Sequence, residues 1–441
     1  MKRLSTKLLL ILIALIGYAA MLFSGQFMFL ITNCKSQLKG NYDTLSGIVT
    51  NFHISDWLIN YEGGFVRRGI IGEVLYWIYN ITNINIPVFI TILAFCLLLC
   101  FSVLFVKKWM HYRLSLVLLP TFILLGGLWG SNSFMWFRRD ILIYLLVWGA
   151  YSCYSNILKN RKFSVVLFHL VSVITILSHE ASFFYMLPIV LFHYILYNRQ
   201  NYNWKQSIQK ATMLSFPSVC TFLLCSVFKG NSEVAKTIWD SWHPLFTQLR
   251  IEDVPLGLGP NALSWDTIAT FKNHATLNFI KGEYGIPGFL LWPIVYFSIL
   301  YFLININKIG TVTIIGKEPF SIIKYLHILL VISIFMLPMF TVLSCDNKRV
   351  ILYCILSSFI FYFSLSRQQL CVFYQKSISH FIKQVCLFFT HGLLAKKWVF
   401  ILFLLFAGMP SVYFSFEGIF ESSIVGLPIN MIKQALCIFG I

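Results

Sequence analysis

"IPVFITILAFCLLLCFSVLFV" fills Ile86–Val106 without a single charged residue. About 20 consecutive apolar residues suffice for a helix to cross a hydrocarbon layer about 30 Å thick. In that layer only a helix or a closed barrel satisfies its own backbone polar groups. The stretch therefore predicts a membrane-spanning helix, and the rest of the chain repeats its character. Similar segments fall at about 8–31, 114–130, 140–157, 163–178, 181–197, 211–228, 286–304, 325–344, 350–366 and 398–415. With 86–106 they make about 11 spans. The expected fold is an all-α, polytopic transmembrane helical bundle forming one domain over 1–441. Composition agrees: 58% of residues are hydrophobic and 11% charged, against roughly 25% charged in an ordinary soluble domain. The spans at 140–157 and 163–178 are short, and one of them is a candidate re-entrant segment. The first span follows "MKRLSTK". It is long for a signal peptide and lacks a small-x-small cleavage site, so it reads as an uncleaved anchor.

Orientation follows from the basic residues. With the N-terminus inside, the inner segments are 1–7, 107–113, 158–162, 198–210, 305–324 and 367–397, and they hold 20 of the 34 Lys and Arg. Among the 16 acids only Glu318 lies inside. The positive-inside rule then gives N-in and C-out. The formal net charge of +18 thus reports topology and gives no reason to expect nucleic acid. The 11 cysteines are scattered. No C-x-x-C or H-E-x-x-H occurs, so neither a disulfide framework nor a zinc site is expected.

This topology leaves two large outer loops, 32–85 and 229–285. The first holds "NYEGGFVRRGIIGE", Asn60–Glu73. Gly63-Gly64 reads as a turn, and "FVRRGIIGEVLYWIY" as a short amphipathic helix lying at the interface. Arg67 and Arg68 are expected in its first turn, where free N–H groups and the helix dipole favour an anion. Arginine grips phosphate bidentately and stays charged at any working pH. The pair reads as a diphosphate cradle or, alternatively, as a grip on lipid headgroups. Three outer corners repeat the pattern: Arg138, Arg139 and Asp140 in "SFMWFRRDILIY", His179 and Glu180 in "ITILSHEASFFYMLP", and Asp346, Lys348 and Arg349 in "LSCDNKRVILY". Ionisable residues at the hydrocarbon edge are functional candidates by default. The other reading of any one corner is a helix cap. His169, His193 and His327 lie inside spans and read as packed residues. In 229–285, Trp239, Asp240, Trp242, Arg250 and Asp253 form a candidate sugar surface. Rings stack on sugar faces, and carboxylates accept hydroxyl hydrogen bonds. The glycine turn "PLGLGP" lacks the strand-then-helix setting of a nucleotide loop.

Polytopic topology, outer arginines, a large outer loop, "RRDIL" and "SHEASFFYMLP" together resemble the Wzy-type polymerases of O-antigen, capsule and exopolysaccharide repeat units. The resemblance implies a glycosyltransferase at the outer face of a bacterial inner membrane, with a GT-C-like helical core. It implies an undecaprenyl-diphosphate-linked oligosaccharide as substrate, membrane lipids around it, and a chain-length regulator and a flippase as partners. The Arg-rich repeat of some members' outer loops is absent here. The chemistry needs no cofactor or metal. Cations stabilise the departing diphosphate, a task open to Arg67, Arg68, Arg138, Arg139 and Arg349. A base helps the acceptor hydroxyl, with Glu62, Glu180, His179 and Asp346 as candidates. Two rivals stand beside this reading. A GT-C transferase using a polyprenyl-monophosphate sugar places its catalytic acid in the first outer loop, where Asp56 and Glu62 sit. A lipid-linked oligosaccharide flippase places charges deep within its spans.

Overall fold

The computed structural model describes residues 46–47, 49–112, 114, 138–251, 254–281, 287–305, 320–344, 346–373 and 376–407, with single positions between 420 and 432. The span expected at 8–31 lies outside them, as does all of 114–130 except Leu114. The described residues are all-α, with no strand among them. The main helices are α1 (Gly69–Thr82), α2 (Ile86–His111), α3 (Asp140–Ile157), α4 (Ser164–Ser178), α5 (Ser182–Asn198), α6 (Trp204–Val227), α7 (Ser232–Asp240), α8 (Thr267–Phe279), α9 (Gly288–Asn305), α10 (Ile322–Phe335), α11 (Asn347–Ser364), α12 (Lys376–Thr390) and α13 (Lys397–Phe406).

Helices α2, α6 and α9 are long and apolar enough to cross a membrane. Ile92, Phe95, Leu99 and Val103 of α2 all face outward. Such a stripe is an unfavourable surface in water and an ordinary one in lipid. The shorter α4, α5, α10 and α13 are also apolar. Boundaries differ from expectation where local chemistry intervenes. The Asn203 side chain caps α6, so the helix begins at Trp204, ahead of the expected 211. The segment expected at 325–344 divides: α10 stops at Phe335, and Pro338 precedes a π-helical turn, Met339–Leu343. The expected inner loop 367–397 contains α12.

The bundle has two poles. At one, the Tyr197 hydroxyl meets the Leu158 carbonyl, Tyr112 packs on Tyr362, and Gln369 bonds Ser155. At the other, α3, α5 and α11 begin and α4 ends. The described parts of segments 32–85 and 229–285 form one layer over this second pole. Trp57, Leu58, Leu75 and Tyr79 of the first share a core with Trp242, Phe246 and Leu249 of the second, seated on Ile86, Ile90 and Ala94 of α2. Trp242 Nε1 donates to the Leu58 carbonyl at 2.8 Å, and Asn60 donates to Ser241 at 2.9 Å. Asn278 of α8 donates to the Thr341 and Ser344 carbonyls and accepts from Asn347 at 2.8 Å, tying the layer to the start of α11.

Candidate anion-binding and active site

Asp56 opens a single 3-10 turn, Asp56–Leu58, whose side chains are buried. The turn is held from above by "PLGLGP". The Gly259 N–H donates to Ser55 Oγ at 2.9 Å. A Cβ on Gly259 would stand 2.6 Å from the Asp56 backbone nitrogen and Cα. This close approach is the glycine turn's role, and its physical cost on substitution is direct. Gly259→Ala is expected to displace Asp56 and lower stability by about 1–3 kcal/mol, the range for overpacking. Thermal unfolding of the purified variant measures it, and a midpoint equal to the parent's would refute the close approach.

Arg67 and Arg68 follow the Gly63-Gly64 turn, in which Gly64 has φ +95°. The Arg67 N–H donates to the Phe228 carbonyl at 3.0 Å, pinning this loop to the end of α6. Arg68 has φ +67°, the left-handed region that side chains other than glycine's seldom enter. Strain of order 1 kcal/mol or more persists only where surroundings enforce it. Here they do. Arg68 Nε and Nη2 clasp Glu180 at 2.8 and 2.6 Å, and the Arg68 carbonyl accepts from Arg139 Nη1 at 2.6 Å. Arg67 Nη1 reaches the same carboxylate at 3.1 Å. Both arginines precede α1, which corrects the expectation that they lie in its first turn. The left-handed Arg68 delays the helix to Gly69, which packs so tightly on the Tyr61 ring that a Cβ would overlap it.

Two further ion pairs adjoin. Arg139, 1% exposed, holds Asp56 through Nε at 2.9 Å and Nη2 at 2.7 Å. Arg349 holds Asp140, the first residue of α3, through Nη2 at 2.7 and 2.9 Å, and the Tyr353 hydroxyl donates to Asp140 at 2.6 Å. Arg138 lies over the Phe52 ring at 5.3 Å. His179 is buried, and its Nδ1 accepts from the Ala181 N–H at 3.2 Å, which places the proton on Nε2. Asp346 is exposed and caps α11 by accepting from the Arg349 N–H at 3.3 Å.

The cluster thus sets Arg67, Arg68, Arg138, Arg139 and Arg349 against Asp56, Asp140 and Glu180, an excess of cations. Helices α1, α3, α5 and α11 all begin beside it, adding their positive N-terminal ends. Burial alone would raise the Glu180 carboxyl, but Arg68 and Arg67 hold it well below the usual range. Asp56 is likewise pushed up by burial and carried well below its ordinary value by Arg139. Burial and then Arg68 bring His179 down to about 3, so it is neutral near pH 7 and has no proton to donate as an imidazolium. A carboxylate this acidic is a weak general base. Glu180 is better placed to hold two arginines than to take a proton.

The structure brings together Arg67, Arg68, Arg138, Arg139, Arg349, His179 and Glu180. It leaves Glu62 exposed, with no side-chain hydrogen bond or ion pair among the described residues. The sugar surface is corrected at its two rings. Trp242 is fully buried against Tyr76, and Trp239 is buried against Phe246, so neither offers a face to a sugar. Asp240 and Arg250 are exposed on the layer over the second pole, and Asp253 lies outside the described residues. Tyr353 and the carbonyl of Arg68 were missed, because partners so distant in sequence leave no local pattern. Compared with family models, curated proteins and solved structures, the chain matches none.

Proposed function

We propose that the chain is a multi-pass membrane glycosyltransferase that polymerises polysaccharide repeat units. It moves a glycan from an undecaprenyl-diphosphate donor to a lipid-linked acceptor at the outer face of a bacterial inner membrane. About 11 spans, N-in and C-out, with a GT-C-like core complete the proposal. The observation that carries it is the arginine-rich cluster at one pole of an apolar helical bundle. Five arginines surround three carboxylates, and a departing diphosphate supplies the missing negative charge. One-sided polarity favours an enzyme over a flippase, whose charges are expected deep along its helices.

A second reading has its own support. Asp56, in the first outer segment, is buried at the heart of the cluster, while Glu62 is not. That is where a transferase using a polyprenyl-monophosphate sugar keeps its acid. Deletion of the gene separates the two. Loss of a polymerase leaves single repeat units where the parent strain shows a ladder of long glycans. Loss of the monophosphate-dependent enzyme leaves ladders whose every repeat lacks one sugar. An unchanged surface glycan would refute both.

A further inference from the structure

The five arginines are not equivalent. Arg139 and Arg349 each clasp one carboxylate with two nitrogens. Arg68 clasps Glu180 in the same bidentate way. These three are consumed by the protein. Arg67 is not, since it shares Glu180 through a single nitrogen at 3.1 Å. Its Nη2 has only a 3.5 Å contact to the Ala262 carbonyl, and its Nε is buried without a hydrogen-bond partner. Arg138 makes no hydrogen bond or ion pair at all among the described residues. Its guanidinium only overlies Phe52, though it lies within electrostatic reach of Asp56, Asp140 and Asp346. A buried donor left unmade carries a desolvation penalty, and a half-buried guanidinium with no anion at hydrogen-bond distance carries a larger one.

We infer that Arg67 and Arg138 are the ligand-facing pair, which binds the phosphate oxyanions of the lipid carrier, while Arg68, Arg139 and Arg349 position them. This rests on the proposed function for the identity of the carrier, and on geometry alone for the anion. Electrostatics agrees for Arg67, Arg68 and Arg138. Burial lowers the pKa of Arg67 against the pull of Glu180, and burial with repulsion from Arg349 lowers that of Arg138. Arg68 is raised, because Glu180 outweighs its burial. Among the described residues Arg67 and Arg138 keep unpartnered donors, and an arriving anion relieves both.

The test is equilibrium binding of inorganic pyrophosphate to the full-length protein in nanodiscs of zwitterionic lipid. Arg67→Gln and Arg138→Gln are each expected to weaken it about tenfold or more, as loss of a charge-assisted bond implies. Lys236→Gln, which removes an exposed cation of the same layer, is expected to leave it within twofold. A parallel arm uses nanodiscs containing phosphatidylglycerol. If the arginines bind carrier phosphate, the loss persists there. If they bind lipid headgroups, both variants match the parent for pyrophosphate and differ only in retained phosphatidylglycerol, which overturns the inference. Glycan synthesis is scored separately. Arg138→Gln with parental pyrophosphate affinity and no polymer overturns the inference but leaves the enzyme reading standing. Lost affinity in a protein whose deletion leaves surface glycan unchanged does the reverse.

Discussion

Arg139→Gln is expected to destabilise the protein by about 3–5 kcal/mol, the range for removing one member of a buried ion pair. Arg139 is almost fully enclosed and satisfies both oxygens of Asp56. Removing it leaves a buried carboxylate without its main partner. It also removes the donor to the Arg68 carbonyl, so the left-handed backbone there loses a support. The neighbouring Arg138→Gln breaks no hydrogen bond or ion pair among the described residues and is expected to destabilise far less than Arg139→Gln, because it orphans no buried carboxylate. Asp56→Asn combined with Arg139→Gln is expected to recover part of the loss, because the penalty lies in the orphaned charge. The pH dependence has a definite sign. The folded-state pKa of Asp56 is depressed below its ordinary 3.8. The pair therefore stabilises fully above about pH 4, and its contribution is lost as pH falls through the depressed value. Thermal unfolding of parent and variants across that range checks both points. Equal stability of Arg139→Gln and Arg138→Gln would show that the pair is not what holds the pole together.

Much of this arrangement was legible in the sequence, and the reasons differ by element. The segments that became α2, α6 and α9 stood out because apolar runs of about hydrocarbon length need no partner to be recognised. The corners were legible too, because charge beside an apolar run is conspicuous. What the corners do was not. Arg68 and Glu180 lie 112 positions apart, and Arg349 and Asp140 lie 209 apart. Nothing local says which carboxylate takes which arginine. Equally hidden was that Trp239 and Trp242 face inward. Their aromatic neighbours Tyr76 and Phe246 come from both outer segments, so the rings read as an open surface until the layers are closed. The role of Gly259 needed the Asp56 backbone beside it. Fold class follows from composition and period, whereas the roles of charged residues follow from pairings that only tertiary structure makes.

Under the proposed function, Glu180→Gln is expected to cut glycan synthesis roughly 10-fold to 150-fold, which is what losing one charge-assisted interaction of about 1.5–3 kcal/mol implies. The residue was a candidate base, and the geometry argues for a different route to the same loss. Three of its contacts come from Arg68 and one from Arg67. Gln keeps the shape but removes the charge, so the two guanidiniums repel and neither stays aimed. Kinetics separate the two roles. Glu180 is held far below its ordinary 4.5, so it is fully ionised from pH 5 to 8 and contributes no titration there. A positioning Glu180 therefore leaves the acid limb of the parent's pH profile in place in the variant. It also raises KM for the lipid-linked donor, since the donor's phosphates meet disordered arginines. A catalytic base does the opposite: kcat falls, the acid limb disappears and KM holds. Glu180→Asp sharpens the comparison, because it restores charge but shortens the reach to a fork set at 2.6–2.8 Å. Partial recovery of KM with an unchanged pH profile is the expected result. A Glu180→Gln enzyme with parental KM and no acid limb would return the proton-transfer role to Glu180 and leave the orientation of Arg67 and Arg68 to the backbone alone.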